Sequence, residues 1–313
     1  MPLTKMLMVY GCSAMCAFVA VFASAHAGTV VAGLDWDADG ETVAAVLANA
    51  CDATTEKTID PPQFPLANAR EQHLLCDGLT LADKKVAKAA FVVADDKLKL
   101  IELRGGAVEA VTGDRSDEPS QYIDFDVYGP GEIFADREND IVWLLSDEAR
   151  HPNLFMWENP LLDHPQAEMP RYNASAVLPA FLSFGGDIET LRPQMEAACP
   201  LLLVEESERV WLPSKPQKQT QINCFGYEYA GFPRKIEAVF GDGKLALAWI
   251  LTGAAEEERV RRSLIAVFGA PEKVFQDWEV FNGGEVVLRK DKPEVLAIAP
   301  ELVPFFEARI SGE

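Results

Sequence analysis

Residue types able to recognise another molecule gather in one part of the chain. Tyr227, Glu228, Tyr229, Phe232, Arg234 and Lys235 crowd a single turn, and Arg289, Lys290 and Lys292 follow a later apolar stretch. Rings supply apolar area, and a guanidinium grips a carboxylate by two parallel hydrogen bonds. Tyr227, Tyr229, Phe232, Arg234, Lys235, Arg289 and Lys290 are therefore expected to form a surface for a protein, peptide or glycan partner. The competing reading packs Tyr229 and Phe232 into a core and leaves the cations solvated.

A second cluster has the residue types of a metal site. Asp35-Trp36-Asp37-Ala38-Asp39-Gly40 sets acids at alternate positions, with a glycine where a calcium loop turns sharply. Over these six residues it resembles the opening of an EF-hand loop. The match stops at Val46, which stands where that loop needs a bidentate glutamate. The alternative is an acidic helix start favoured by the macrodipole.

Catalytic signatures are missing from the sequence. It has no Gly-x-Ser-x-Gly, no glycine-rich phosphate loop ending in Lys-Ser/Thr, and no His-Glu-x-x-His. Ser146, Asp147 and His151 could be drawn together as a triad, and Asp124 with Asp126 as the carboxylate pair of a hydrolase. The hydrolase reading requires acids with raised pKa values converging in one cleft. A non-catalytic binding or envelope-associated protein, the favoured reading, requires a shallow aromatic groove. No cofactor is expected.

A leader precedes all of these residues. Lys5 is the only charge before Asp35, Met6 to Ala23 is apolar, and Ser24-Ala25-His26-Ala27 offers small residues at the cutting positions. Cleavage after Ala27 and a periplasmic or secreted protein are expected, with an uncleaved anchor as the alternative. No integral membrane segment is expected after cleavage. The 313 residues carry a net charge of −21. Residues 28–160 hold 26 acids and 11 bases, and residues 161–313 hold 23 acids and 16 bases. Such a balance repels nucleic acid, which is excluded as a partner, and repels anionic membrane.

The elements that must position these residues come in two copies. Cys51 and Cys76 are 25 residues apart, as are Cys199 and Cys224, and the two pairs are offset by 148 residues. At that offset Leu34 falls on Leu182, Trp36 on Phe184, Asp39 on Asp187, Leu47 on Met195 and Gly78 on Gly226. A one-residue slip then aligns Asp95-Asp96-Lys97-Leu98 with Asp242-Gly243-Lys244-Leu245. This is an internal duplication, and a duplicated module carries its own staple. It selects Cys51–Cys76 and Cys199–Cys224 from the three connectivities open to four cysteines. Zinc at His73-Leu74-Leu75-Cys76 finds no echo in Ile222-Asn223-Cys224.

Periodicity predicts a helix from Asp39 to Cys51 and strands at His73–Leu81, Val86–Ala94 and Lys97–Leu103, followed by a short helical remnant at Gly105–Gly113. Further strands are expected at Tyr122–Tyr128 and Ile141–Leu145. The second copy repeats the plan, with a helix from Asp187 to Ala198 and strands at Gln219–Tyr229, Lys235–Phe240 and Lys244–Leu251. Turns are expected at Gly231-Phe232-Pro233, Asp242-Gly243 and Asn282-Gly283. A helix at Ala255–Phe268, strands at Val274–Phe281, Glu285–Lys290 and Val295–Ile298, and a closing helix at Glu301–Ile310 complete it. The fold class is α+β: two tandem related modules, each a helix packed on an antiparallel β-meander sheet with one disulfide. The expected organisation is leader 1–27, first module 28–150, a proline-rich but ordered join 151–179, and second module 180–313.

Overall fold

The protein is described by a computed structural model covering residues 30–81, 83–207 and 209–311. The expected leader 1–27 and the cutting site expected after Ala27 lie outside the described residues. The first module opens with α1 (Gly40–Ala50) and a four-stranded meander, β1 (Ala53–Ile59), β2 (Glu71–Leu81), β3 (Lys84–Ala94) and β4 (Lys97–Arg104). After α2 (Ala107–Thr112) comes a second meander, β5 (Ser120–Tyr122), β6 (Phe125–Tyr128), β7 (Ile133–Asp136) and β8 (Ile141–Leu145). All eight strands form one antiparallel sheet in the order β1-β2-β3-β4-β8-β7-β6-β5. A short α3 (Asp147–Arg150) leads into the join. The second module repeats the order with α4 (Ile188–Ala198), β9 (Leu201–Glu206), β10 (Gln219–Tyr229), β11 (Phe232–Gly241), β12 (Lys244–Leu251), α5 (Glu257–Phe268), β13 (Lys273–Val274), β14 (Trp278–Phe281), β15 (Val286–Arg289), β16 (Glu294–Ile298) and α6 (Val303–Ser311). Its sheet runs β13-β14-β15-β16-β12-β11-β10-β9, the same topology. The fold is α+β, with one disulfide in each module, Cys51–Cys76 and Cys199–Cys224.

The duplication extends to single hydrogen bonds. Glu71 accepts from the amides of Gln63 and Phe64, and Gln219, 148 positions later, accepts from those of Trp211 and Leu212. Leu98 donates to the Ala38 carbonyl, and Leu245 to that of Gly186. Asp95 accepts from Arg70 N, and Asp242 from Lys218 N. The slip between copies is taken up in one hairpin: Cys76 faces Ala89 but Cys224 faces Ile236, so the offset falls to 147 across β10 and β11, where the register shifts between Cys224 and Tyr227. It rises to 153 beyond the helical connection, since Arg104 faces Ile141 while Leu251 faces Glu294. The six added residues match the longer helix, 12 residues in α5 against 6 in α2.

Strands at the sheet edge were the hardest to read. β1 (Ala-Thr-Thr-Glu-Lys-Thr-Ile) is exposed along most of its length and shows no apolar alternation, so the three-stranded meander expected in each module is in fact four-stranded. An edge strand with one neighbour needs charged and polar residues, which erase the period-two signal. β9, at the edge of the second sheet, escapes similarly, whereas β7, buried between β8 and β6, is only four residues long and too short to show a period. The expected turn at Gly231-Phe232-Pro233 lies earlier, at Ala230 and Gly231, both with positive φ (48° and 87°). Phe232 and Pro233 already belong to β11, facing Tyr229 and Glu228. Asp39 caps α1 through Thr42 N at 2.8 Å, whereas Asp187 at the start of α4 makes no side-chain cap and pairs instead with Lys244 at 2.8 Å.

Each sheet has two apolar faces. On one, α1 packs over β2, β3 and β4, with Val43 and Leu47 against Leu74, Phe91 and Leu98. α4 and α5 do the same in the second module through Leu191, Met195, Val260 and Leu264. On the opposite face of the first sheet lies the join, whose Phe155, Trp157, Leu161 and Leu162 are buried together with Phe225 and Phe232 of the second module. One core thus runs from the first sheet through the join into the second module. The corresponding face of the second sheet is covered by Leu212, Leu302 and Phe306.

Candidate functional site

The aromatic and basic residues singled out in the sequence do not form one surface. Arg234, 2 % exposed, makes a paired ion bridge to the buried Glu256, Nη1 to Oε1 at 2.5 Å and Nη2 to Oε2 at 2.8 Å, and donates through Nε to the Tyr229 carbonyl. Burial works to raise the Glu256 pKa, but the Arg234 charge and its hydrogen bonds outweigh it and hold the carboxyl below the usual range. Arg259 joins the pair at 2.6 Å and donates to the Pro62 and Gln63 carbonyls at 2.8 Å, locking the modules together. Phe232 packs against Phe64, Trp157 and Tyr172. Tyr229 is fully buried, and burial raises its phenol pKa. Lys235 sits 5.3 Å over Phe225 and pairs with Glu237. The expected accessible rim is therefore interior and intermodule contact, because Phe232 and Pro233 extend β11 under the first module. Tyr227, partly buried, packs edge-on to Phe181. Lys290 pairs with Glu279 at 2.9 Å. Arg289 stands on β15, separated from the β11 of Arg234 by two strands, β12 and β16.

The acidic candidates are likewise divided. Asp35 accepts from Asp37 N, Asp37 pairs with Lys97 at 2.7 Å, and Asp39 caps α1. Lys97 holds the Asp37 carboxyl below its ordinary value, and the Thr42 amide does the same for Asp39. Among the described residues no group of three or more His, Cys, Asp or Glu is arranged to hold a metal ion. Asp126 of the proposed hydrolase pair bonds Arg137 and Gln121. His151 Nε2 meets the Pro293 carbonyl at 2.8 Å, and no hydrogen bond among the described residues joins it to Ser146.

One carboxyl, that of Glu102, is pushed well up and is sealed inside. Burial raises Glu102 to about 7 against the lowering effect of Arg104. Its Oε2 accepts from Asn159 N at 2.6 Å and so fastens the join to β4. Next to it His73 meets Glu71 at 2.7 Å through Nε2 and Asn159 Nδ2 at 2.8 Å through Nδ1. A ring protonated on Nε2 donates to Glu71 and accepts from the amide, which satisfies both contacts. All four side chains are buried, so the network holds the join in place and offers no opening for a substrate.

A site the sequence reading missed lies on the far face of the second sheet. Trp211, Trp249 and Trp278 line a cleft of about 180 Å³ with Phe305, Phe306 and Arg309, and Arg289 borders it. Four elements position it, one of them α6, which carries Phe305, Phe306 and Arg309. The Gln219 side-chain oxygen holds the loop of Trp211 by accepting hydrogen bonds from the Trp211 and Leu212 amides, both at 3.1 Å. Trp249 projects from β12 and Trp278 from β14, and the Arg289 guanidinium lies 4.8 Å over the Trp278 ring. Trp211 and Phe305 remain 47 % exposed, and Trp249 and Trp278 are only partly buried. Among the described residues none of the three indole N–H groups meets a protein acceptor, whereas those of Trp143 and Trp157 in the first module both do. Arg309 has no ion-pair partner among the described residues, while Arg289 is paired with Asp291 and Glu294.

The counterparts of these tryptophans in the first module are Gln63, Glu102 and Phe125, at offsets of 148, 147 and 153. There the face is closed: Phe155 stacks on Phe134 at 4.0 Å and contacts Phe125 at 5.3 Å. The sequence signal was available in the three tryptophans of the second copy that occupy positions not held by tryptophan in the first. A groove between the modules, bordered by Lys57, Asp60, Glu168, Arg171, Tyr172 and Arg259, is wider but carries a single aromatic ring. Comparison with protein-family models, with curated proteins and with solved structures gives no match to this chain.

Proposed function

We propose that the protein is a non-catalytic binding protein of an extracytoplasmic compartment, with its ligand site at the cleft of Trp211, Trp249 and Trp278. The observation that carries this reading is the contrast between duplicated faces: one is filled by the join's own rings, while the other, covered only in part by Leu212, Leu302 and Phe306, leaves three tryptophans partly exposed beside the Arg309 guanidinium. Aromatic residues and arginine concentrate binding energy when a partner excludes water around them. The two disulfides fit an oxidising compartment, and no helix among the described residues is long and apolar enough to cross a membrane. Secretion or export to the periplasm, with cleavage after Ala27, accords with the leader sequence.

An anionic aromatic probe tests the site directly. Naphthalene sulfonate is expected to bind one equivalent of the full chain and quench tryptophan emission, and Trp249→Ala is expected to weaken it by about tenfold. Equal binding by the variant, or no binding by the natural protein, would remove the cleft as the ligand site.

A further inference from the structure

We infer that the tryptophan cleft receives a polypeptide segment carrying an aromatic side chain next to an acidic residue, held as the first module holds the join. This rests on the cleft being the ligand site and adds the class of ligand. The template is the chain itself. In the first module, Leu154-Phe155-Met156-Trp157-Glu158 lies on the sheet face that corresponds to the cleft. Its two rings enter the face, with Phe155 on Phe134 and Trp157 on Phe64 at 5.7 Å. Its main chain is read by an indole, since Trp143 Nε1 donates to the Trp157 carbonyl at 3.2 Å. Its acids are read by an arginine: Arg104 meets Glu158 at 3.1 Å and Asp163 at 3.2 Å.

The cleft offers the same three kinds of contact without an occupant from this chain's described residues. Its volume of about 180 Å³ suits one ring, since an apolar cavity of roughly 150 Å³ takes up a benzene. Three indole N–H donors face no protein acceptor and match peptide carbonyls. Arg309 supplies the cation for a neighbouring carboxylate, while Arg289, stacked on Trp278 and paired with Asp291 and Glu294, helps wall the cleft. Against a chain of net charge −21, this single cation of the cleft, unpaired among the described residues, selects an acid at one place on the partner rather than a generally acidic one.

The test uses the full chain and a synthetic peptide copying residues 153–163 (Asn-Leu-Phe-Met-Trp-Glu-Asn-Pro-Leu-Leu-Asp) as probe. Calorimetry gives affinity, and fluorotryptophan NMR of the protein reports which indoles respond. One equivalent is expected to bind, shifting the resonances of Trp211, Trp249 and Trp278. Replacing both aromatic residues of the peptide by alanine should weaken binding by more than about tenfold. Arg309→Glu, at an exposed position that leaves folding unchanged, should weaken it by about threefold to tenfold and reduce its salt dependence. Three results would each overturn the proposal. The first is no peptide binding by a protein that still binds naphthalene sulfonate, which leaves the site standing without this ligand. The second is a response confined to Trp143 and Trp157, which marks exchange with the join. The third is competition for the cleft by an oligomer of hexuronic acid together with indifference to the peptide.

Discussion

Arg234 reads in the sequence as a cation beside a turn, and there its removal would matter little. The structure places it against Glu256 with neither side chain exposed by more than 1 %. Removing one partner of a buried pair leaves the other charge stranded and costs roughly 3–5 kcal/mol. Arg234→Ala is therefore expected to lower the melting temperature by many degrees, and a thermal melt matching the natural protein would contradict the buried placement. Glu102 makes a prediction in pH. Its carboxyl, raised to about 7 by burial, keeps its proton to higher pH in the folded chain than in the unfolded one. Its contribution to stability is therefore fully present below the ordinary carboxylate value and is lost as pH rises through about 7. Glu102→Gln keeps an acceptor for Asn159 N, so it should gain stability relative to the natural protein between about pH 5 and about pH 8. Parallel pH profiles for the two proteins in denaturant titrations would show that Glu102 is not the group responsible.

At the scale of the element, the duplicated hairpin separates backbone strain from contact. Gly226 on β10 has φ +80°, and a Cβ there would meet Pro200 Cγ at 2.8 Å. Gly78 holds the matching place at φ +64°, against Asp52. Gly231 in the following turn has φ +87° but open space around a Cβ. Gly231→Ala should cost only the left-handed backbone penalty, about 1–2 kcal/mol. Gly226→Ala adds a collision with a proline ring that cannot rotate away, and should cost at least about 1 kcal/mol more. Equal losses in chemical denaturation would mean that the strand shifts to relieve the contact. Such constraints explain what was legible here. Helices α1 and α4, the disulfides and the central strands follow from spacing, because buried central strands and one-sided helices must be apolar at fixed intervals. The edge strands β1 and β9 escape because partial solvation removes that requirement, and β7, buried between β8 and β6, escapes because four residues are too few to show a period.

The whole molecule is joined by the cluster of Phe64, Trp157, Phe225 and Phe232 and by the bridge from Glu256 through Arg259 to the Pro62 carbonyl. Both cross from one module to the other, so the modules should not melt separately. Calorimetry of the full chain is expected to show one transition whose calorimetric and van't Hoff enthalpies agree. Phe232→Ala should shift that transition as a unit, by a loss of about 3–5 kcal/mol. Two resolved transitions in the natural protein would contradict this coupling.

The sequence alone determined that the chain is a duplication, which cysteines pair, and that the fold is α+β. Those features depend on spacing along one copy and are checked by its echo in the other. It did not determine which faces the copies turn toward each other. Tyr229, Phe232 and Arg234 have the composition of a binding surface, and only packing against the first module makes them interior. Trp211, Trp249 and Trp278 are spread over 67 positions and come together because β12 and β14 share a face with the loop before β10. A site assembled across separate elements leaves no local pattern, since the distances that define it are measured across the sheet and not along the chain.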